Sequence, residues 1–336
     1  MAMPKNVNLP EKILRIETDD QNYTPIEEIP EEYQHLIIPV SKIFFTSDYD
    51  FDMVCQVIRL GIFSIWMHEI YAMEAIKLLP VTCREIVVLH FMAHGSPKAE
   101  IADNGAYPLN GKEVNMFKLN ARFNEAPMKR GDEMISFHIN VLPADLPKLA
   151  EIHPDLAQLA KKELMAGSGP LQNRPYKLNL VCNYLIKQFI DCKYIGVAAE
   201  KLLYRCCVDL FINFANQDKI AHLPNAYNAD EIDNILKKVV EYINTHTDDE
   251  FNLAKIAYIF DVNAKALYAG FENTYHITME AFDRQCKMLY AFHSAVTTKA
   301  EAKDIARSIA MRSTAEFIRV FESYFNCSFI TVRNAQ

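Results

Sequence analysis

Three of the histidines in the first half, His68, His90 and His94, suggest a metal site by residue type, since histidine is the side chain most often found on metal ions. On an extended strand His90 and His94 share a face, but they stand about 13 Å apart, too far to hold one ion together. The chain has no His-x-His pair, so no metal is expected. Eight cysteines, Cys55, Cys83, Cys182, Cys192, Cys206, Cys207, Cys286 and Cys327, are scattered without a Cys-x-x-Cys spacing. In a chain of this size they are expected to be reduced and mostly buried, with neither zinc nor structural disulfides. Residues 40–165 carry no recognisable nucleophile–base pair. Nothing here assembles the acid, base, nucleophile or cofactor of an enzyme.

The elements that position these groups follow from composition. The chain has 336 residues, half of them hydrophobic, a formal net charge of -8 and a pI near 5.7. That supports more than one hydrophobic core. A protein that coats nucleic acid would be basic overall, so any such contact must be local. Residues 1–40 are polar and lack the apolar centre of a signal peptide, and no apolar run reaches the ~18 residues of a membrane span. A soluble, cytoplasmic protein is expected. Seven of the nine glycines lie at or before Gly169, and no proline follows Pro224. Breakers punctuate short strands and are excluded from helix interiors. The expected class is therefore α+β, with a β-rich first half and a helical second half.

Within 41–166, alternating segments predict strands near 62–71, 86–94, 98–102, 113–120 and 133–141, arranged as a small barrel or sandwich. In the second of these, Ile86, Val88, His90, Met92 and His94 face one way. Val87, Leu89, Phe91 and Ala93 face the other. Turn signals occur at Gly95-Ser96-Pro97, Asp103-Asn104-Gly105, Asn110-Gly111 and Arg130-Gly131-Asp132. Trp66, Met92 and the alternating apolar residues are expected to line a core or a small ligand cavity. A helix is expected from Ala144, with Pro154 breaking it or starting another. Across 171–218 two amphipathic helices are predicted. One carries Leu178, Val181, Leu185 and Phe189, the other Leu202, Leu203, Cys206, Leu210 and Phe214. Their stripes either pack on each other or pair two copies of the chain.

From 228 to 336 the pattern is more specific. Asn228 and Glu231 have capping-box spacing, ahead of an apolar face of Ile232, Ile235, Leu236, Val239 and Ile243. Leu253 to Ala257 predicts a short helix. A break at 260–263 and an N-cap at Asn263 lead into another, anchored by Leu267 and Phe271. Short helix, turn and short helix is the helix-turn-helix outline. It recurs. Thr298 with Glu301, and Ser313 with Glu316, have capping-box spacing. Ile305, Ala306 and Ile309, then Phe317, Val320 and Phe321, supply the inward faces. A long helix from about Met279 to Ala295 joins the two units through Phe282, Met288, Leu289 and Phe292.

Ile305-Ala306, Phe317-Ile318-Arg319-Val320-Phe321, Phe325-Asn326-Cys327-Ser328 and Arg333 together resemble the signature of the AraC/XylS family of bacterial transcription regulators. Residues 253–271 are similar to that family's first unit, and the likeness covers about a third of the chain. The family usually has Gly where this chain has His276, Ala310 and Asn326, and Pro where it has Phe329, which marks a divergent member. The resemblance implies that the second helix of each unit enters the major groove of double-stranded DNA. It implies that Lys265, Tyr268 and Ala269 in the first unit, and Thr314, Ala315 and Arg319 in the second, face the bases. Arg319 can then bond a guanine bidentately, Lys265 can reach base or phosphate, and the alanines can touch only a thymine methyl. It also implies a β-rich N-terminal sensor for a small-molecule effector, cupin-like in fold, and a homodimer.

The domains expected are thus a polar segment 1–40, a sensor 41–166, a helical hairpin 171–218 that packs on itself or serves dimerisation, and a reader 228–336. Residues 229–336 hold 12 Lys and Arg against 15 Asp and Glu, while 299–333 hold 6 against 4. The second unit therefore carries the positive local charge. Against the regulator stands a second function, an interaction or ligand-binding protein derived from the same family whose DNA readout is weak or lost. The acidic balance and the alanines at reading positions favour it. A third, a β-barrel enzyme with a helical appendage, has no catalytic constellation to support it.

Overall fold

Strong alternation in the first half and strong helical periodicity in the second give two separate units in the computed structural model. It describes residues 14–17, 29–82, 84–101, 104–120, 124–165, 167–172, 174–220 and 229–335. One unit comprises Met1–Ile37 with Ser41–Leu178, and the other Ile38–Val40 with Asn179–Gln336.

The first unit is built from antiparallel strands: β1 (Leu14–Glu17), β2 (Lys42–Ser47), β3 (Phe51–Leu60), β4 (Phe63–Ala72), β5 (Ile76–Pro80), β6 (Ile86–His94), β7 (Lys98–Ile101), β8 (Gly105–Pro108), β9 (Glu113–Leu119), β10 (Ala126–Met128), β11 (Glu133–Val141), β12 (Gly169–Pro170) and β13 (Tyr176–Lys177). An eight-stranded sheet runs β12-β9-β6-β11-β4-β3-β2, with β13 also on β9. A three-stranded sheet runs β1-β5-β10, and β7 pairs with β8. Two short helices follow β11, α1 (Leu146–Ile152) and α2 (Ala157–Met165), separated at Pro154, which has no amide hydrogen to continue α1 and keeps His153 before it out of the helical region.

The strands expected near 62–71, 86–94, 98–102, 113–120 and 133–141 are present within two residues. Strand β3 was not anticipated. Its residues Met53 to Ile58 are buried on both faces, so the alternation that betrays a half-buried strand is absent. The core joins the sheets face to face. Met53, Cys55, Val57, Trp66, Ile70, Met92 and Met134 from the large sheet meet Leu14, Ile16, Ile76, Leu78, Ala126 and Met128 from the small one. Gly95 is obligatory where β6 turns. Its φ is +85°, and a Cβ there would stand 2.6 Å from the Glu133 carbonyl oxygen.

The second unit is helical: α3 (Leu180–Ile190), α4 (Gly196–Ile220), α5 (Ala229–Thr245), α6 (Leu253–Ile259), α7 (Ala264–Tyr275), α8 (Met279–Thr297), α9 (Ala302–Ser308), α10 (Thr314–Phe325) and α11 (Phe329–Arg333). The expected apolar stripes are buried in it, Val181, Leu185 and Phe189 on α3, and Leu202, Leu203, Cys206, Leu210 and Phe214 on α4. Leu178 precedes the helix. Phe282, Met288, Leu289 and Phe292 of α8 are buried as expected, and Phe292 lies 4.7 Å from Phe325 and 6.1 Å from Phe321 between ring centres. The expected cap at Asn228, with the side chains of Glu231 and Ile232, lies outside the described residues. Among the described residues no helix is long and apolar enough to cross a membrane.

One capping box is corrected. Thr298 does not start α9. Its hydroxyl donates to the Ser294 carbonyl at 2.7 Å and ends α8, while α9 begins after Glu301, whose side chain makes no cap. A threonine at the end of a helix bonds back to the i-4 carbonyl as readily as it bonds forward, so spacing alone did not separate the two.

Candidate nucleic-acid interface and cavity

The second unit contains two short helix pairs, α6 with α7 and α9 with α10, each turning over a few residues, at 260–263 and 309–313. Each second helix starts on a side-chain cap. Asn263 accepts from the backbone amides of Lys265 and Ala266 at 3.0 and 3.1 Å, and Ser313 accepts from that of Glu316 at 3.1 Å. These caps satisfy amides that would otherwise be orphaned at the helix start. The three positions where glycine was expected all adopt positive φ: His276 at 59°, Ala310 at 54° and Asn326 at 49°. A Cβ there costs about 1 kcal/mol or more. The chain therefore ends α7, α9 and α10 with left-handed residues in spite of its side chains.

On α7, Leu267, Gly270, Phe271 and Tyr275 face inward, leaving Lys265 exposed and Tyr268 and Ala269 half-buried. On α10, Phe317, Phe321 and Phe325 face inward, leaving Ala315 and Arg319 exposed and Thr314 half-buried. Gly270, otherwise a costly residue in a helix, thus sits on the packed face. Among the described residues neither Lys265 nor Arg319 has an ion-pair partner. Phe329, where proline was expected, is buried between Phe317 and Phe321 at 5.5 and 5.4 Å. Arg333 bonds the Thr298 carbonyl at 2.7 Å and that of Ala300, fastening α11 to the turn before α9.

Sequence reasoning missed what α4 does. Asn213 donates to the Tyr275 carbonyl at 2.7 Å and Asn216 to that of His276 at 3.1 Å, so both grip the C-terminal end of α7. Arg205 lies over the Tyr324 ring at 3.9 Å and bonds the Tyr324 carbonyl, while the Tyr324 hydroxyl donates to Asp209 at 2.5 Å. Asp209 also holds Arg205 at 2.5 Å and accepts from Gln285 of α8 at 3.4 Å. Burial would push the Arg205 guanidinium down, but the Asp209 carboxylate and Tyr324 hold it above its usual range. Burial, then Asp209, push the Tyr324 phenol well up, so it stays a donor. One helix therefore holds the far ends of both second helices. Partners so distant in sequence leave no local signal.

In the first unit a cavity of about 130 Å³ opens between the sheets, with His68, His90 and His138 among its lining. His138 was not singled out from the sequence. The alternation of Met134, Ser136, His138 and Asn140 on one face of the predicted strand 133–141 could have found it. His138 lies directly across from His90, and His68 lies across from its neighbour Ser136. Ring centres are 5.2 Å apart for His68 and His138, and 6.0 Å for His90 and His138. Burial pushes His68 down to about 3 and His90 to about 4, and it pushes His138 well below the usual range. His90 and His138 are half-buried and keep part of their surface open on the cavity. His94, expected on the same face, is exposed at the strand end. Among the described residues no cluster of three His, Cys, Asp or Glu has metal-binding geometry.

No family model matches the chain, and no curated protein matches it. Solved structures do. ToxT from Vibrio cholerae is 14% identical, with 80% of this chain and 97% of that one covered and a TM-score of 0.31. A transcriptional regulator with an AraC-type DNA-binding domain from Chromobacterium violaceum is 16% identical over 30% of this chain and 90% of its own, with a TM-score of 0.29. A probable AraC family transcriptional regulator from Rhodopseudomonas palustris is 16% identical over 30% and 94%, with a TM-score of 0.28. With TM-scores near 0.3 these superpositions are loose.

Proposed function

We propose that this chain is a divergent AraC/XylS-type regulator that binds double-stranded DNA through α7 and α10 and is controlled by a small ligand in its first unit. The observation that supports this best is the pair of capped helices whose inner faces are packed, whose far ends are held by α4, and whose outer faces leave Lys265 and Arg319 without ion-pair partners among the described residues. Helix starts can also meet phosphates through backbone amides, which a modest positive charge does not preclude. The first unit is then the cupin-like sensor, its cavity the ligand site. The hairpin stripe is spent inside the second unit. Pairing of two copies there would fall to Ile190, Ile195 and Val197, which stay exposed at the α3–α4 turn.

Arg319 supplies the test. Binding-site selection with the full chain, followed by fluorescence anisotropy, should give a preferred duplex. Arg319→Ala should weaken that duplex by about 1–3 kcal/mol and relax preference at one base pair, because a bidentate contact to guanine is lost. Unchanged affinity and profile would remove Arg319 from the interface. Footprinting should show two protected major-groove segments about 10 bp apart on one face. A single short segment would mean that one helix pair engages alone.

The acidic balance and the alanines at 269 and 315 favour a second reading, an interaction protein that has lost its readout. Titration with random duplex at low salt separates the two. Electrostatic contact with phosphates persists without specificity, so no binding there would favour the second.

A further inference from the structure

The cavity of the first unit has a composition that selects its occupant. Most of its wall is apolar, including Leu14, Leu78, Val88, Met92 and Phe117, and no Asp, Glu, Lys or Arg lines it among the described residues. One side is different. His68, His138 and His90, from β4, β11 and β6, lie in a row with Asn140 beside them. His68 Nε2, His138 Nε2, His90 Nδ1 and Asn140 Oδ1 are buried, with almost no accessible surface of their own, and lack a hydrogen-bond partner, while the half-buried His90 and His138 keep other ring edges open on the cavity. Leaving such atoms unpaired costs about 1–3 kcal/mol each, so a row of four in one unit needs an explanation.

An uncharged imidazole offers one donor and one acceptor. A hydroxyl also does both, so it can donate to one ring and accept from the next. A carboxylate only accepts and an ammonium only donates. Either would also bring a charge to a wall with no counter-charge, which is expensive in an apolar site. Size limits the rest of the molecule. A cavity of about 130 Å³ is close to the roughly 150 Å³ engineered cavity that takes up benzene, so the space holds one aromatic ring.

We propose that this cavity binds an uncharged one-ring phenol, its ring on the apolar wall and its hydroxyl on the row His68, His138 and His90. The proposal deepens the ligand-sensing reading above and rests on it only for any consequence at DNA.

The test uses the full chain without DNA, in calorimetric titrations at pH 7.5 with phenol, toluene, benzoate and benzylamine. Phenol should bind about tenfold or more tighter than each of the other three. Toluene matches its size but leaves the row unpaired, and the two ions carry unmatched charge. His138→Phe should bring phenol down to the affinity of toluene while leaving toluene unchanged. Should that variant fail to fold, the four-ligand comparison on the native chain decides alone. Toluene equal to phenol, either ion tighter than phenol, or no heat from millimolar phenol would each overturn the proposal. Phenol that binds in this order yet leaves duplex affinity unchanged supports the cavity assignment and removes only the sensing role.

Discussion

On acidification the first unit should lose its strand structure as pH falls from about 6.5 toward 4, a loss that begins well before ordinary carboxylates are protonated. Burial pushes His68 down to about 3 and His90 to about 4, and it lowers His138 strongly, with repulsion from neighbouring imidazoles adding to the shifts of His68 and His138. The unfolded chain returns each imidazole to about 6.5. Below that pH the unfolded state binds more protons than the folded one, so stability falls as pH falls. Above about 6.5 all three are neutral in both states and the penalty vanishes. One shifted pKa unit corresponds to about 1.4 kcal/mol per group, so three such histidines can together offset the whole stability of a domain. No acid lines the cavity to compensate them among the described residues. Circular dichroism and intrinsic fluorescence of Trp66, the one tryptophan, report this unit. His68→Gln and His90→Gln variants should keep the signal to lower pH. A native chain unchanged at pH 4.5 would contradict the burial of the row.

Arg205→Ala should destabilise the second unit by about 3–5 kcal/mol, the cost of removing one partner of a buried ion pair and stranding the other. Both side chains are largely enclosed, at 15% and 11% exposure for Arg205 and Asp209, so solvent screening does not reduce the effect to that of a surface pair. The loss also frees the Tyr324 ring and carbonyl. Chemical denaturation gives the magnitude. Tyr324→Phe is the control, since it keeps the ring over Arg205 and removes only the hydroxyl bond to Asp209. It should cost about 1.5–3 kcal/mol, the range for a hydrogen bond to a charged group. Equal stability of the Arg205→Ala and native chains would mean that the pair contributes nothing. A fragment beginning at Asn228 would leave behind every one of these partners on α4. One beginning at Asn179 keeps them.

Local features of the fold were legible in the sequence. The caps Asn263 and Ser313, the left-handed Asn326, and the strands 86–94 and 133–141 are each set by residues within a few positions of one another. What escaped is non-local. Strand β3 carries no alternation because both its faces are covered. His138 meets His90 only through the register of β11 on β6. Thr298 looked like a helix start because spacing cannot tell a forward bond from a backward one. The grips of Asn213 and Asn216 reach across about 60 residues to α7, and the sequence on either side of them shows only a helix.

Along α4, Arg205, Asp209, Asn213 and Asn216 fall close to helical spacing, the first two serving α10 and the last two α7. A helix turns about 100° per residue. One residue inserted or deleted between Asp209 and Asn213 would swing one pair of grips about 100° away from the other, and both could no longer be made at once. The count of residues in that stretch of α4 is therefore itself a constrained quantity, independent of which residues fill it. Descendants of this chain can exchange side chains there far more freely than they can change its length.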